Sequence, residues 1–209
     1  MARAWDLRTI RGAALVGAAS GLVLATGVVA RELWRRGVEP SVVAGASDRD
    51  APADSAPWLE GPAIADLRAR RLILPVDVSP ERLTDSFGDP RGAGTRLHRA
   101  VDILAPRGTP VRAVEAGTIA RLDVSAAGGI SVYQFDREER YCYYYAHLDR
   151  YAAGLEEGAD VARGEVIGYV GTTGNAPRNT PHLHFAIYRL SEAKQWSAAT
   201  ALNPYPVFR

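Results

Sequence analysis

Cysteine is almost absent from this 209-residue chain. Cys142 stands alone, which excludes an intramolecular disulfide and any zinc knuckle built from several thiolates. It lies in the aromatic run Tyr141 to Tyr145, so a buried, inert thiol is expected. Net charge is nearly absent as well: 25 basic residues against 24 acidic ones leave +1. That balance offers no basic stripe of the kind nucleic acid requires, and no nucleic-acid partner is expected. No internal repeat of solenoid length is present. Two hydrolase signatures are also missing, the zinc helix His-Glu-x-x-His and the nucleophile elbow Gly-x-Ser-x-Gly. What remains, 47% hydrophobic and 23% charged residues, suits one folded domain plus a membrane or targeting segment.

The chain does have one long apolar run. Gly12 to Ala30 carries no charge and is bounded by Arg11 and Arg31. As a helix rising about 1.5 Å per residue it nearly spans a hydrocarbon layer of about 30 Å. Arg3, Arg8 and Arg11 against Asp6 make the preceding stretch resemble the positive region of a signal sequence. Val28 and Ala30 would suit cleavage, whereas the length of the run and Arg31, Arg35 and Arg36 behind it favour an uncleaved anchor. Either way, residues 1–36 are expected to act in export as a signal-anchor or signal peptide. Residues 37–57, rich in Ala, Ser, Asp and Pro without a period, read as a flexible linker. Residues 58–209 form the expected domain, entered through a short helix within Trp58 to Arg71.

Downstream, the pattern is that of β structure. Strands are expected at Leu72 to Val76, where Pro75 suits an edge, and at Val111 to Val124, with a turn or bulge at Gly117. Ile130 to Phe135 and Tyr141 to Leu148 flank Asp136 to Arg140 as a hairpin. Val161 to Val170 and His182 to Tyr188 complete the set. The expected fold is all-β, an antiparallel sandwich or barrel-like sheet with little helix.

Chemistry becomes readable at the four histidines, His98, His147, His182 and His184. In a strand, the period of two sends His182 and His184 to one face while Leu183 points the other way. Such a pair suits a metal ion or two proton-transfer groups, although an incidental surface pair reads the same. Asp102 lies between Val101 and Ile103, where a carboxylate is costly unless paired or metal-bound. The alternative there is a surface His98 with Asp102 held by backbone amides. His147 ends an aromatic run, a place where a lone histidine is usually structural. Together, one carboxylate and two imidazoles would make a three-ligand set that leaves zinc a position for water. Two histidines would remain for protons or an oxyanion.

At these residues the sequence resembles the M23 metallopeptidases, the lysostaphin and LytM family of peptidoglycan endopeptidases, over about Phe87 to Pro204. The anchors are His98-Arg-Ala-Val-Asp102-Ile, Ala105-Pro-Arg-Gly-Thr-Pro-Val111, Tyr145-Ala-His-Leu148, Gly168-Tyr-Val-Gly-Thr-Thr-Gly174 and Pro181-His-Leu-His-Phe185. The resemblance implies a β-rich fold with its active site in a groove across the sheet. It implies zinc held by His98, Asp102 and His184, with His147 and His182 as the catalytic histidines. Two departures stand out. Ala100 occupies a position where the family usually has glycine, and Asp89 to Leu97 lacks the tyrosine that polarises the substrate carbonyl in some relatives. Arg91 and Arg96 are candidates for contact with an acidic stem peptide.

The expected activity is zinc-dependent hydrolysis of peptide crosslinks in peptidoglycan, at the cell envelope, by a chain tied to the membrane through residues 12–30. His147 or His182 would take a proton from water while the other stabilises the oxyanion. Two rivals belong to other classes. One is a non-catalytic regulator that binds and activates cell-wall amidases, for which broken motifs and coiled-coil regions would speak; this chain has neither. The other is a groove that binds glycan or peptide around a structural zinc.

Overall fold

Proline and glycine punctuate the start of the domain. The computed structural model describes residues 61–91, 94–191 and 199–209, all within one unit of the chain. The apolar run at Gly12–Ala30 and the linker expected at 37–57 lie outside the described residues. No helix among the described residues is long and apolar enough to cross a membrane. Gly61 caps helix α1 (Pro62–Ala69), whose first position is proline, a residue that needs no hydrogen-bond acceptor there. The helix is shorter than the expected Trp58 to Arg71 and buries Ile64 and Leu67, one turn apart.

The remainder is chiefly strand and turn, as expected, with short 3-10 helices at Pro80–Arg82 and Tyr205–Val207. Short β1 (Pro90–Arg91) and β2 (Arg96–Leu97) pair with each other. The main sheet contains β3 (Val101–Leu104), β4 (Pro110–Arg112), β5 (Gly117–Ser125), β6 (Gly129–Asp136), β7 (Tyr141–Tyr151), β8 (Asp160–Val161), β9 (Val166–Val170), β10 (His182–Arg189) and β11 (Thr200–Leu202). Every pairing is antiparallel, along the order β11-β10-β7-β6-β5-β8. One edge of β10 meets β3 at its start and β11 at its end, and the other edge meets β7.

Three expected strands are drawn differently. Leu72 to Val76 forms no strand: Ile73 N–H donates to Val114 O (3.1 Å) and Pro75 O accepts from Arg112 N–H (2.8 Å), too few bonds for a ladder. Pro75 itself has no donor to offer. Val111 to Val124 is split into β4 and β5 by a turn before Gly117, and the bulge falls between Ile119 and Arg121. Val161 to Val170 is likewise split into β8 and β9 around Arg163 and Gly164.

The core fixes which way each strand faces. Leu183, Phe185 and Ile187 of β10 are fully buried, and each contributes about 1.5–3 kcal/mol by leaving water. Val101 and Ile103 of β3 join them. With the apolar half of each strand committed to the core, Asp102, His182 and His184 are carried to the opposite face. Cys142 is buried, and burial pushes its thiol well above the ordinary value, as suits an inert group.

Candidate active site

Register does most of the assembly. Asp102 of β3 lies directly opposite His184 of β10, and His184 lies opposite Ala146 of β7. His98 arrives from the turn before β3, where Arg99 takes a left-handed φ of 60° and returns the chain toward the sheet. Three atoms therefore converge. His98 Nε2 is 3.0 Å from Asp102 Oδ1 and 3.0 Å from His184 Nδ1, and His184 Nδ1 is 3.1 Å from Asp102 Oδ1.

Backbone carbonyls decide which nitrogens face inward. His98 Nδ1 lies 3.0 Å from Ser86 O, which can only accept, so Nδ1 carries the proton and Nε2 presents a lone pair. His182 Nδ1 donates in the same way to Thr180 O (2.8 Å), and His147 Nδ1 to Thr173 O (2.8 Å). His182 Nε2 is then 3.8 Å from Asp102 Oδ1. The His147 ring packs edge-on against His182 and His184, with centroids 5.0 and 5.5 Å away.

His147 reaches this face through a bulge. Ile130 pairs with Leu148 and Val132 with Tyr145, so β7 spends one residue more than β6 over this interval. Within it His147 adopts a φ of 60°, a conformation that costs a non-glycine residue about 1–3 kcal/mol. A regular strand would alternate Tyr143, Tyr145 and His147 into the core. The bulge turns the imidazole to the site and gives the core Leu148 instead.

Electrostatics favour the ionised form of Asp102 and the neutral forms of His184 and His147. Burial alone would raise the Asp102 pKa, but the close approach of the His184 and His98 rings to its carboxylate outweighs it and holds the carboxyl well below its usual range. Burial lowers His184, against the opposing pull of Asp102. Burial, reinforced by His184, lowers His147 to about 4. His147 and His184 are therefore neutral near pH 7. A tetrahedral ion with bonds of about 2.0–2.1 Å needs donors about 3.3 Å apart. The observed 3.0–3.1 Å spacing, together with the nitrogen–oxygen–nitrogen donor set, fits such an ion.

All five candidate residues named from sequence are thus brought together. Several residues around them were not named. Ser86 O, Thr180 O and Thr173 O set the ring tautomers, and Asp102 N–H donates to Ser86 Oγ (3.3 Å). Arg91, partly exposed, donates from Nη2 to Asp102 Oδ2 (3.1 Å), occupying the carboxylate oxygen that the histidines do not contact. Thr173 lay inside a quoted motif and could have been noticed there. Ser86, twelve residues before His98, carried no signal in sequence.

The sequence profile of peptidase family M23 matches residues 96–200, half of the chain and all five of the candidate residues. The chain belongs to peptidase family M23. Among curated M23 relatives, it is 35% identical over 130 residues to the L-Ala–D-Glu endopeptidase of Bacillus subtilis, covering 59% of this chain and 38% of the relative. It is 32% identical over 123 residues to lysostaphin of Staphylococcus simulans, covering 57% and 23%. The chain therefore spans well under half the length of these relatives. Among solved structures, Helicobacter pylori Csd3 superposes with a TM-score of 0.50 at 30% identity, covering 66% of this chain and 33% of that one. The alanine at the family's glycine position is accommodated. Ala100 is buried, and the left-handed residue of that turn is its neighbour Arg99.

Proposed function

We propose that this M23 protein is a zinc-dependent endopeptidase that hydrolyses peptide crosslinks of peptidoglycan. The observation that carries the reading is the convergence of His98 Nε2, Asp102 Oδ1 and His184 Nδ1 within 3.0–3.1 Å, with two further imidazoles against them. His98, Asp102 and His184 would hold the zinc, which would supply Lewis acidity and bring the pKa of a water molecule toward neutrality. His147, kept neutral by burial and by His184, accepts the water's proton at Nε2, since its Nδ1 is committed to Thr173 O. His147 then returns that proton to the leaving amine, while His182, its Nε2 turned toward Asp102, stabilises the developing oxyanion once that nitrogen is protonated. Arg91 holds the outer oxygen of Asp102, so that Oδ1 alone faces the histidines. The substrate rests on the relatives, one of them named for cutting an L-Ala–D-Glu bond. The same reading places the domain at the cell envelope, led or anchored there by Gly12–Ala30.

The test is incubation of the full chain with crosslinked peptidoglycan, followed by mass spectrometry of the released fragments. Parallel reactions contain chelator, or chelator followed by zinc. New peptide termini that vanish with chelator and return with zinc are expected, and their masses name the bond. A zinc-loaded chain that releases no new termini would overturn hydrolysis in favour of a regulator that binds and activates an amidase.

A further inference from the structure

The segment Gly171-Thr-Thr-Gly174 enters the steps above only through the Thr173 carbonyl, yet its last glycine packs against the β6 turn more tightly than any side chain there would allow. A Cβ on Gly129 would lie 2.2 Å from Thr173 Oγ1, and one on Gly174 would lie 2.3 Å from Gly129 N. Both glycines have a positive φ, so this backbone-to-backbone approach needs them twice over. The approach brings Thr173 between three parts of the chain. Its hydroxyl donates to Leu148 O (2.6 Å) and accepts from Ile130 N–H (3.0 Å). Its carbonyl accepts from His147 Nδ1 (2.8 Å). His147 N–H donates to Gly128 O (2.8 Å), and Asn175 N–H to Ala127 O (3.0 Å), closing the same ring of contacts.

We infer that Thr173 is the positioning residue for His147, and that its hydroxyl is the part that does so. The β6–β7 ladder is interrupted at the bulge, where β7 carries one residue without a partner on β6. The Thr173 hydroxyl fills that gap. It satisfies Ile130 N–H on one strand and Leu148 O on the other, and so ties both to its own loop. With the hydroxyl fixed, the Thr173 carbonyl stands where the imidazole must donate from Nδ1, which leaves Nε2 as the proton acceptor. Serine can make the same two bonds. Valine has the same shape as threonine and can make neither.

This inference rests on the proposed role of His147 for its effect on turnover, but not for its effect on the ring. The test compares the full-length chain with Thr173→Val and Thr173→Ser. The imidazole 15N shifts of His147 are read first, in metal-free protein near neutral pH. The parent and Thr173→Ser are expected to show one tautomer, protonated at Nδ1, and Thr173→Val a mixture of two. Turnover of peptidoglycan peptides is read second. In Thr173→Val, kcat is expected to fall on the order of 10²-fold, as for a misplaced catalytic group, with KM and zinc stoichiometry unchanged. Should the valine chain fail to bind one zinc, Thr173→Ala takes its place with the same expectations. A single Nδ1–H tautomer in the valine chain, or serine behaving as valine does, would overturn the inference. If the parent chain cuts no peptide at all, the proposed activity fails while the tautomer measurement still decides the role of Thr173.

Discussion

Two clusters of polar side chains sit inside this domain, and they are finished in opposite ways. At one end, Arg70 after α1 donates to Asp66 (3.1 Å), to Glu115 and Asp136 (both 3.0 Å) and to Glu138 (2.6 Å). Asp136 Oδ1 also receives the backbone N–H groups of Arg140 and Tyr141, each at 2.7 Å, and the Tyr143 hydroxyl donates to Glu115. Burial would lower the Arg70 pKa, but Glu115 and Asp136 more than reverse it. Every carboxylate there meets a donor. At the other end, carbonyls absorb the Nδ1 protons of His98, His147 and His182, and what is left pointing inward is a carboxylate oxygen and lone pairs. The first cluster is saturated and can only hold the chain together. The second is short of positive charge at its centre, and that shortage is what a divalent cation fills.

The sharpest way to break the contrast is to remove one donor from each cluster. His184→Ala is expected to abolish zinc binding, measured by elemental analysis after dialysis, and to lower turnover on the order of 10³-fold or more. The metal-free fold should survive, because His184 makes no core contact that Leu183 and Phe185 do not already secure. Arg70→Ala should do the reverse. It strands Asp136 and Glu115 and is expected to cost about 3 kcal/mol in urea denaturation, while zinc stoichiometry stays at the parent value.

A smaller effect is expected where a charge meets the unsaturated cluster. Arg91→Gln should weaken zinc binding about 10-fold in competition with a chromogenic chelator. Removing a cation favours the metal electrostatically, but Arg91 is partly exposed and screened, so losing its grip on Asp102 Oδ2 is the larger effect. The smallest effect is in pH. The His147 pKa is about 4 when folded against an ordinary 6.5, so the unfolded chain binds more protons in between. Stability of the metal-free domain is full above pH 6.5 and declines as pH falls toward 4. His147→Gln should flatten that decline in melting temperatures. The Arg70 cluster differs in window as well as in kind. Burial acts to raise Asp66 but is outweighed by hydrogen bonds from Tyr141 and Arg70, and Glu138 is lowered chiefly by its hydrogen bond to Arg70. Their contribution is lost only in stronger acid, below the ordinary carboxylate range.

Much of this was legible in the sequence. Alternation along His182 to Tyr188 set Leu183 opposite the two histidines, because the side-chain period of a strand is two regardless of context, and the structure buries Leu183 together with Phe185. The M23 motifs marked His98, Asp102 and His147 as companions before any strand was paired. Strand breaks were less legible. Val111 to Val124 and Val161 to Val170 read as continuous because an apolar residue in a tight turn and one in a strand look alike in one dimension.

Sequence alone determined the chemical inventory of this protein: four histidines, one flanked carboxylate, no alternative nucleophile motif and a β-rich domain to carry them. Only the tertiary structure decided how they meet. The register that sets Asp102 opposite His184, the bulge that turns His147 out of the core, and the carbonyls of Ser86, Thr173 and Thr180 that choose each tautomer are long-range pairings. Each depends on backbone groups that every residue possesses, so no residue type announces them in the sequence.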